Sequence, residues 1–175
     1  MPLFNPTEIG GAKYHWVNPD IPTGNTVVSS VTANPKTAFA STTSIPESTA
    51  LIGGIAHITG RGLFGSGVVS LGLTISVEMA GIVVATVTVT PALSLTNMPW
   101  YIDIVATILN SGQVEIQGSA SFSSSLTAAT MINIRNLAPF TMSTAGGVPV
   151  TISAQYGALA VGGTITLRQM VIEVF

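Results

Sequence analysis

Between Leu71 and Thr90 the chain alternates with a period of two through two successive runs. Leu71, Leu73, Ile75, Val77 and Met79 are interleaved with Gly72, Thr74, Ser76 and Glu78. After Ala80-Gly81-Ile82, Val83, Ala85, Val87 and Val89 are interleaved with Val84, Thr86, Thr88 and Thr90. Successive side chains of a strand point to opposite faces, so this pattern admits two half-buried strands and no amphipathic helix. The short gap between them makes an antiparallel hairpin. Opposed residues share a face, so the gap sets the register. A two-residue loop would oppose Ile75 to Thr86 and mix the faces, whereas a three-residue loop pairs Met79 with Val83, Val77 with Ala85, Ile75 with Val87 and Leu73 with Val89. An odd loop is therefore expected, with Gly81 easing the turn. The other face of the hairpin carries Thr and Ser rather than charge.

A chain of 175 residues buries one good core, so one domain with an appendage is expected. Charged residues make up 7%, against about 25% in an average soluble domain. Few charges remain to keep copies apart, so much of the surface is expected to be covered by other subunits. Five basic residues against seven acidic give no basic patch, and no nucleic-acid partner is expected. The absence of cysteine excludes disulfides and thiolate metal sites. The opening residues lack the basic-then-apolar order of a secretory signal. The charge-free stretch from Ala80 to Ile102 contains Pro91, Asn97, Pro99 and alternating Thr, which points to strands and a loop rather than a membrane span.

Residues 1–46 read differently from the rest. Six prolines, from Pro2 to Pro46, interrupt any alternation, and each fixes φ and pushes its predecessor to an extended conformation. The reading is an extended arm, with one short strand near Thr26 to Val31. Phe4, Ile9, Tyr14, Trp16 and Val17 are its candidate anchors for a partner surface, because a solvated tail rarely carries such side chains. Residues 47–175 read as the folded domain. The runs 51–58, 102–109, 114–122 and 148–156 alternate like the hairpin, a further strand is expected at Met131 to Ile134, and a turn at Asn110-Ser111-Gly112. After Leu167 the apolar parity moves to Met170, Ile172 and Val174, which places a bulge near Arg168-Gln169. No window has helical periodicity with caps. The expected fold is all-β, a jelly-roll β-sandwich with an extended N-terminal arm.

No residue constellation carries catalysis. His15 and His57 lack a metal-ligand partner two or four residues away, and His57 reads as a surface or inter-subunit residue. Asp103 and Glu115 invite a paired-carboxylate reading across the 102–122 hairpin, but their strands are polar-faced and show no cleft. Gly60-Arg61-Gly62 and Gly65-Ser66-Gly67 have neither the Walker pattern nor a following helix. Trp100 and Tyr101, after Pro99, suit stacking on a sugar, while Trp100, Phe122 and Tyr156 also suit the core. Arg61, Arg135 and Arg168 are expected to pair with the few acids. No catalytic residue, metal or cofactor is expected.

Several segments, in order, carry a resemblance: Gly60-Arg61-Gly62, the Leu71–Met79 strand, Thr96-Asn97-Met98-Pro99-Trp100, Gly112 to Gly118, Thr151-Ile152-Ser153-Ala154-Gln155-Tyr156, and Thr164-Ile165-Thr166-Leu167-Arg168 with Ile172-Glu173-Val174. Together they resemble the jelly-roll domains of tailed-bacteriophage virion proteins: head decoration (cement) proteins, spikes and fibre tips. The resemblance spans about 51–175. It implies a homotrimer of tumour-necrosis-factor-like jelly rolls without enzymatic activity or cofactor, assembled in the host cytoplasm into the virion. The first functional expectation is a capsid decoration protein whose arm clamps neighbouring copies of the major capsid protein or other virion subunits. The alternative is a spike, tail-adaptor or receptor-binding tip that recognises host surface glycan. A membrane partner is not expected.

Overall fold

The computed structural model describes residues 14–18, 26–28, 35–47, 53–68, 72–109, 113–123, 128–136, 139–157 and 160–175. Twelve strands are described: β1 (Tyr14–Val17), β2 (Thr26–Val28), β3 (Thr37–Ile45), β4 (Ile55–Gly65), β5 (Leu73–Met79), β6 (Ile82–Val89), β7 (Met98–Ile108), β8 (Gln113–Ser123), β9 (Ala129–Arg135), β10 (Phe140–Thr141), β11 (Val148–Tyr156) and β12 (Thr164–Val174). They form two antiparallel sheets packed as a jelly-roll β-sandwich. The larger, eight-stranded sheet runs β12-β4-β7-β8, with β1 and β2 sharing the β12 edge and β9 and β10 sharing the β8 edge; the smaller runs β3-β11-β5-β6. No helix occurs among the described residues.

The alternating apolar residues meet between the sheets. Ile58, Ile102, Ile104, Ile116 and Ile172 from the larger sheet face Leu73, Ile75, Val77, Val150 and Ile152 from the smaller one, all essentially inaccessible to solvent. One aromatic pair ties the layers, Phe39 stacking on Trp100 (6.3 Å, 17°); within the larger sheet Phe64 meets Phe122 edge-on (6.0 Å, 69°). Tyr156 is buried beside them, and its hydroxyl donates to the Gly65 carbonyl at 3.1 Å. Loss of water around that phenol pushes its pKa well above the usual range.

The hairpin β5–β6 has the expected pairs Leu73↔Val89, Ile75↔Val87 and Val77↔Ala85. The loop itself differs. Ala80 and Gly81 form a two-residue turn with φ of 50° and 76°, the conformation whose twist matches paired strands. The odd residue sits in the strand instead, where the register shifts between Val77 and Glu78. That bulge turns Val83 outward (47% exposed) and Val84 inward, so Val83 is not on the inner face. The bulge expected near Arg168-Gln169 is present, as a register shift between Leu167 and Gln169 against β4. β2 and β9 occupy the segments expected near 26–31 and 131–134. The turn expected at 110–112 lies outside the described residues.

The boundary expected at residue 46 does not hold for the described part of the arm. β3 pairs with β11 from Ile45↔Val148 to Thr37↔Ala154, and Phe39 and Ile45 are each 1% exposed in the core. β1 and β2 pair with β12. Residues 37–45 are therefore an integral edge strand of the sandwich. The physical reason is that β3 faces the core through Phe39, Ser41, Thr43 and Ile45, two of which are polar, so the inward period is masked.

Candidate functional site

The larger sheet aligns its outward side chains in cross-strand rows. The first row is His15, Glu173, His57, Val105, Gln117 and Arg135; the next is Val17, Val171, Thr59, Asp103, Ser119 and Asn133; the third is Gln169, Arg61, Tyr101, Ser121 and Met131. Antiparallel neighbours on one face stand close enough for side chains to interact directly, and here they do.

In the first two rows a relay of contacts crosses four strands. The His15 Nδ1 atom lies 3.1 Å from Glu173 Oε1, Glu173 Oε2 lies 3.5 Å from His57 Nδ1, and His57 Nε2 lies 3.0 Å from Asp103 Oδ1. The two ring nitrogens of His57 thus face one carboxylate each, Glu173 on one side and Asp103 on the other. The four side chains are partly exposed, so the relay orients groups more than it stabilises the fold. Asp103 is thereby held at the margin of the third row.

Arg61, Tyr101 and Ser121 of the third row form the floor of a pocket of about 460 Å³ that Thr59, Trp100, Asp103 and neighbouring residues also line. Small-ligand sites commonly measure about 300–1,000 Å³. The Tyr101 hydroxyl reaches the Met131 sulfur (3.6 Å) two strands away, which lays the ring across the buried Ser121. A smaller hollow of about 220 Å³ continues past Arg61 and Asp103 to His57, Gln169 and Glu173. A third pocket, about 890 Å³ and polar, lies along Glu115, Gln117, Asn133 and Arg135 at the β8–β9 edge.

The glycines beside Arg61 serve the core. A Cβ at Gly62 would land on the Thr166 carbonyl and 2.8 Å from Trp100 Nε1; one at Gly60 would lie 2.6 Å from Ile152 Cδ1. The Trp100 indole fills that space and donates to Thr166 O at 3.3 Å. Parity thus separates the two adjacent aromatics: Trp100 faces inward with 2% exposure, and Tyr101 faces outward with Asp103.

Several expectations are resolved by these positions. Asp103 opposes Ser119 and Glu115 opposes Thr107, so the paired-carboxylate geometry is not formed. The arginines do not take up the acids: Glu173 and Asp103 go to histidines and Glu78 to Lys36, while no ion pair of Arg61, Arg135 or Arg168 occurs among the described residues. Of the candidate anchors, Phe4 and Ile9 lie outside the described residues. Tyr14 pairs its backbone with Val174, Trp16 pairs with Ile172 and packs half-buried against the core, and Val17 lies half-buried opposite Val171. Asn18 ends β1, its carboxamide accepting from Met170 N–H and donating to Arg168 O (3.2 Å), and so holds the β12 bulge. Among the described residues no group of three or more His, Asp or Glu is placed to hold a metal, and no helix is long and apolar enough to cross a membrane.

The residue missed by sequence reasoning is Arg61 as part of a site. Its signal was its parity: it lies outward between two inward glycines. No protein-family model matches the chain. No curated protein matches it either. Solved structures do. The lectin UEA-II, solved in complex with galactose, superposes with a TM-score of 0.52 at 10% identity over 93% of this chain and 99% of that one. Arcelin-5, a lectin-like defense protein from Phaseolus vulgaris, superposes with a TM-score of 0.51 at 8% identity over 93% and 98%. At that identity the likeness is one of fold: the chain shares the two-sheet β-sandwich of these proteins.

Proposed function

We propose that the chain is a non-enzymatic carbohydrate-binding jelly roll, of the spike or receptor-tip kind that its resemblance to bacteriophage virion proteins implies, with the outer face of the larger sheet as its binding surface. The observation that carries this reading is the pocket floored by Tyr101. Its ring is half-buried, and an aromatic ring with an open face offers a stacking surface to the C–H face of a pyranose. Arg61 supplies donors beside it, Asp103 supplies acceptors, and Thr59 and Ser123 supply hydroxyls of either role. A lectin that shares the sandwich fold was solved in complex with galactose, which supports a carbohydrate ligand for this architecture. The full chain on a glycan array should bind a subset of glycans. Tyr101→Ala should weaken that binding at least about tenfold, or about 1.4 kcal/mol, while Thr86→Ala on the smaller sheet leaves it unchanged. An array without binders, or equal binding by Tyr101→Ala, removes the reading.

A capsid decoration role is the second reading, and exposed apolar pairs at the two ends of the sandwich favour it. Val68 (72% exposed) and Leu93 (59%) flank the Ser94–Gly67 backbone contact at one end; Ile55 and Phe175, which exchange backbone hydrogen bonds, stand exposed at the other. Such side chains suit contact with sister or capsid subunits better than water. In this reading the jelly rolls trimerise and the segment carrying Phe4 and Ile9 reaches the shell. Mass photometry should then give three times the 17.9 kDa chain; a monomer at micromolar concentration argues against the trimer.

A further inference from the structure

We infer, resting on the carbohydrate-binding reading above, that the Tyr101 pocket takes an acidic saccharide: a pyranose bearing a carboxylate at one side and free vicinal hydroxyls at the other. Arg61 is the group that selects the ligand. It is exposed, it lines both the pocket and the adjoining hollow, and it forms no ion pair among the described residues. Asp103 does not neutralise it, because Asp103 is turned to His57 on the next row at 3.0 Å. A sugar that fills the pocket covers the guanidinium and strips its water. Covering a cation without a counter-charge is costly, so a neutral sugar leaves that cost standing and an acidic one offsets it. The planar fork of five N–H donors matches a carboxylate with two parallel hydrogen bonds.

The rest of the pocket places the other end of the ring. Arg61 opposes Tyr101 and Thr59 opposes Asp103, so Arg61 and Asp103 are diagonal neighbours on one face. Diagonal neighbours lie about 7–8 Å apart, and one pyranose ring lying on Tyr101 spans that gap. Asp103 is an acceptor with two oxygens, one of them engaged by His57. Its remaining capacity suits a pair of sugar hydroxyls and repels a second carboxylate. The site thus has polarity, with a cation at one end and an acceptor at the other. Hexuronic acids satisfy it, and so does the carboxylate of a sialic acid; the two are separable by experiment.

Isothermal titration of the full chain with trigalacturonate, its methyl ester, 3′-sialyllactose and lactose tests this. One or both acidic ligands should bind at least about tenfold more tightly than their neutral counterparts, and which one does identifies the source of the carboxylate. The preference should fall when salt is raised from about 50 to 200 mM, because part of the contact is charge with charge. Arg61→Gln should bring acid and neutral forms to the same affinity, with an unchanged melting temperature showing that the fold is intact. Two results overturn the inference while leaving carbohydrate binding in place: neutral forms bound as tightly as acidic ones and lost in Tyr101→Ala, or an acidic preference that survives Arg61→Gln. If none of the four ligands binds, and the array is also empty, the carbohydrate reading falls and this inference falls with it.

Discussion

A chain that begins at Glu47 is expected not to fold. β3 supplies the whole outer edge of the smaller sheet beside β11, and its Phe39 stacks on Trp100 at the centre of the core. Ile45, at the other end of the strand, is 1% exposed. Losing β3 uncovers the β11 backbone and one face of the Trp100 indole together, and losing β1 and β2 exposes the β12 edge. Replacing a buried Phe by Ala alone costs roughly 3–5 kcal/mol, against a total stability of about 5–15 kcal/mol for an ordinary domain. The shortened chain should show no cooperative thermal transition and no near-ultraviolet circular dichroism. Phe39→Ala in the full chain should retain both, with a denaturant midpoint lowered by the equivalent of roughly 3–5 kcal/mol. A cooperative melt from the shortened chain would mean that the sandwich closes without β3.

Gly62→Ala is expected to be the most damaging single methyl group in the larger sheet. Its Cβ would fall on the Thr166 backbone oxygen and against Trp100 Nε1. Thr166 belongs to the adjacent strand β12, so relief requires the β4–β12 ladder to open where Leu63 pairs with Thr166. Overpacking a tight core costs about 1–3 kcal/mol and sometimes more; with backbone as the obstacle, about 3 kcal/mol or more is expected. The neighbouring Arg61→Ala, on the outward face, should change stability by less than about 0.5 kcal/mol. Chemical denaturation of the two variants side by side measures the contrast. Similar losses from both would show that the face assignment of β4 is wrong.

These two results bear on what could be read from the chain before its structure. Where a strand's inward residues are all apolar, as in β5, β7 and β12, alternation alone reveals the strand, its face and even the bulge at Arg168. β3 escapes because Ser41 and Thr43 share its inward face with Phe39 and Ile45, and nearby prolines argue for an arm. The β5–β6 turn is not set by local alternation, because an odd loop and an even turn with a bulge restore the same pairs. The site lay further from view. The parity of Ile102 and Ile104 already sends Trp100 inward and Tyr101 outward with Asp103. What places Arg61 and His57 beside them is the pairing of β4 with β7, strands far apart in the chain, whose register no local pattern sets. The relay from His15 to Asp103 needs three such non-local pairings at once.

Amide chemical-shift mapping of the full chain during a titration with trigalacturonate tests most directly whether the outer face of the larger sheet is the ligand surface. The largest shifts are expected at Arg61, Tyr101, Asp103 and Ser121, with smaller ones at His57 and Gln169 in the adjoining hollow. Thr74, Thr86 and Thr88, on the outer face of the smaller sheet, should stay still. Shifts centred on those threonines, or on Glu115 and Arg135 at the β8–β9 edge, would contradict it.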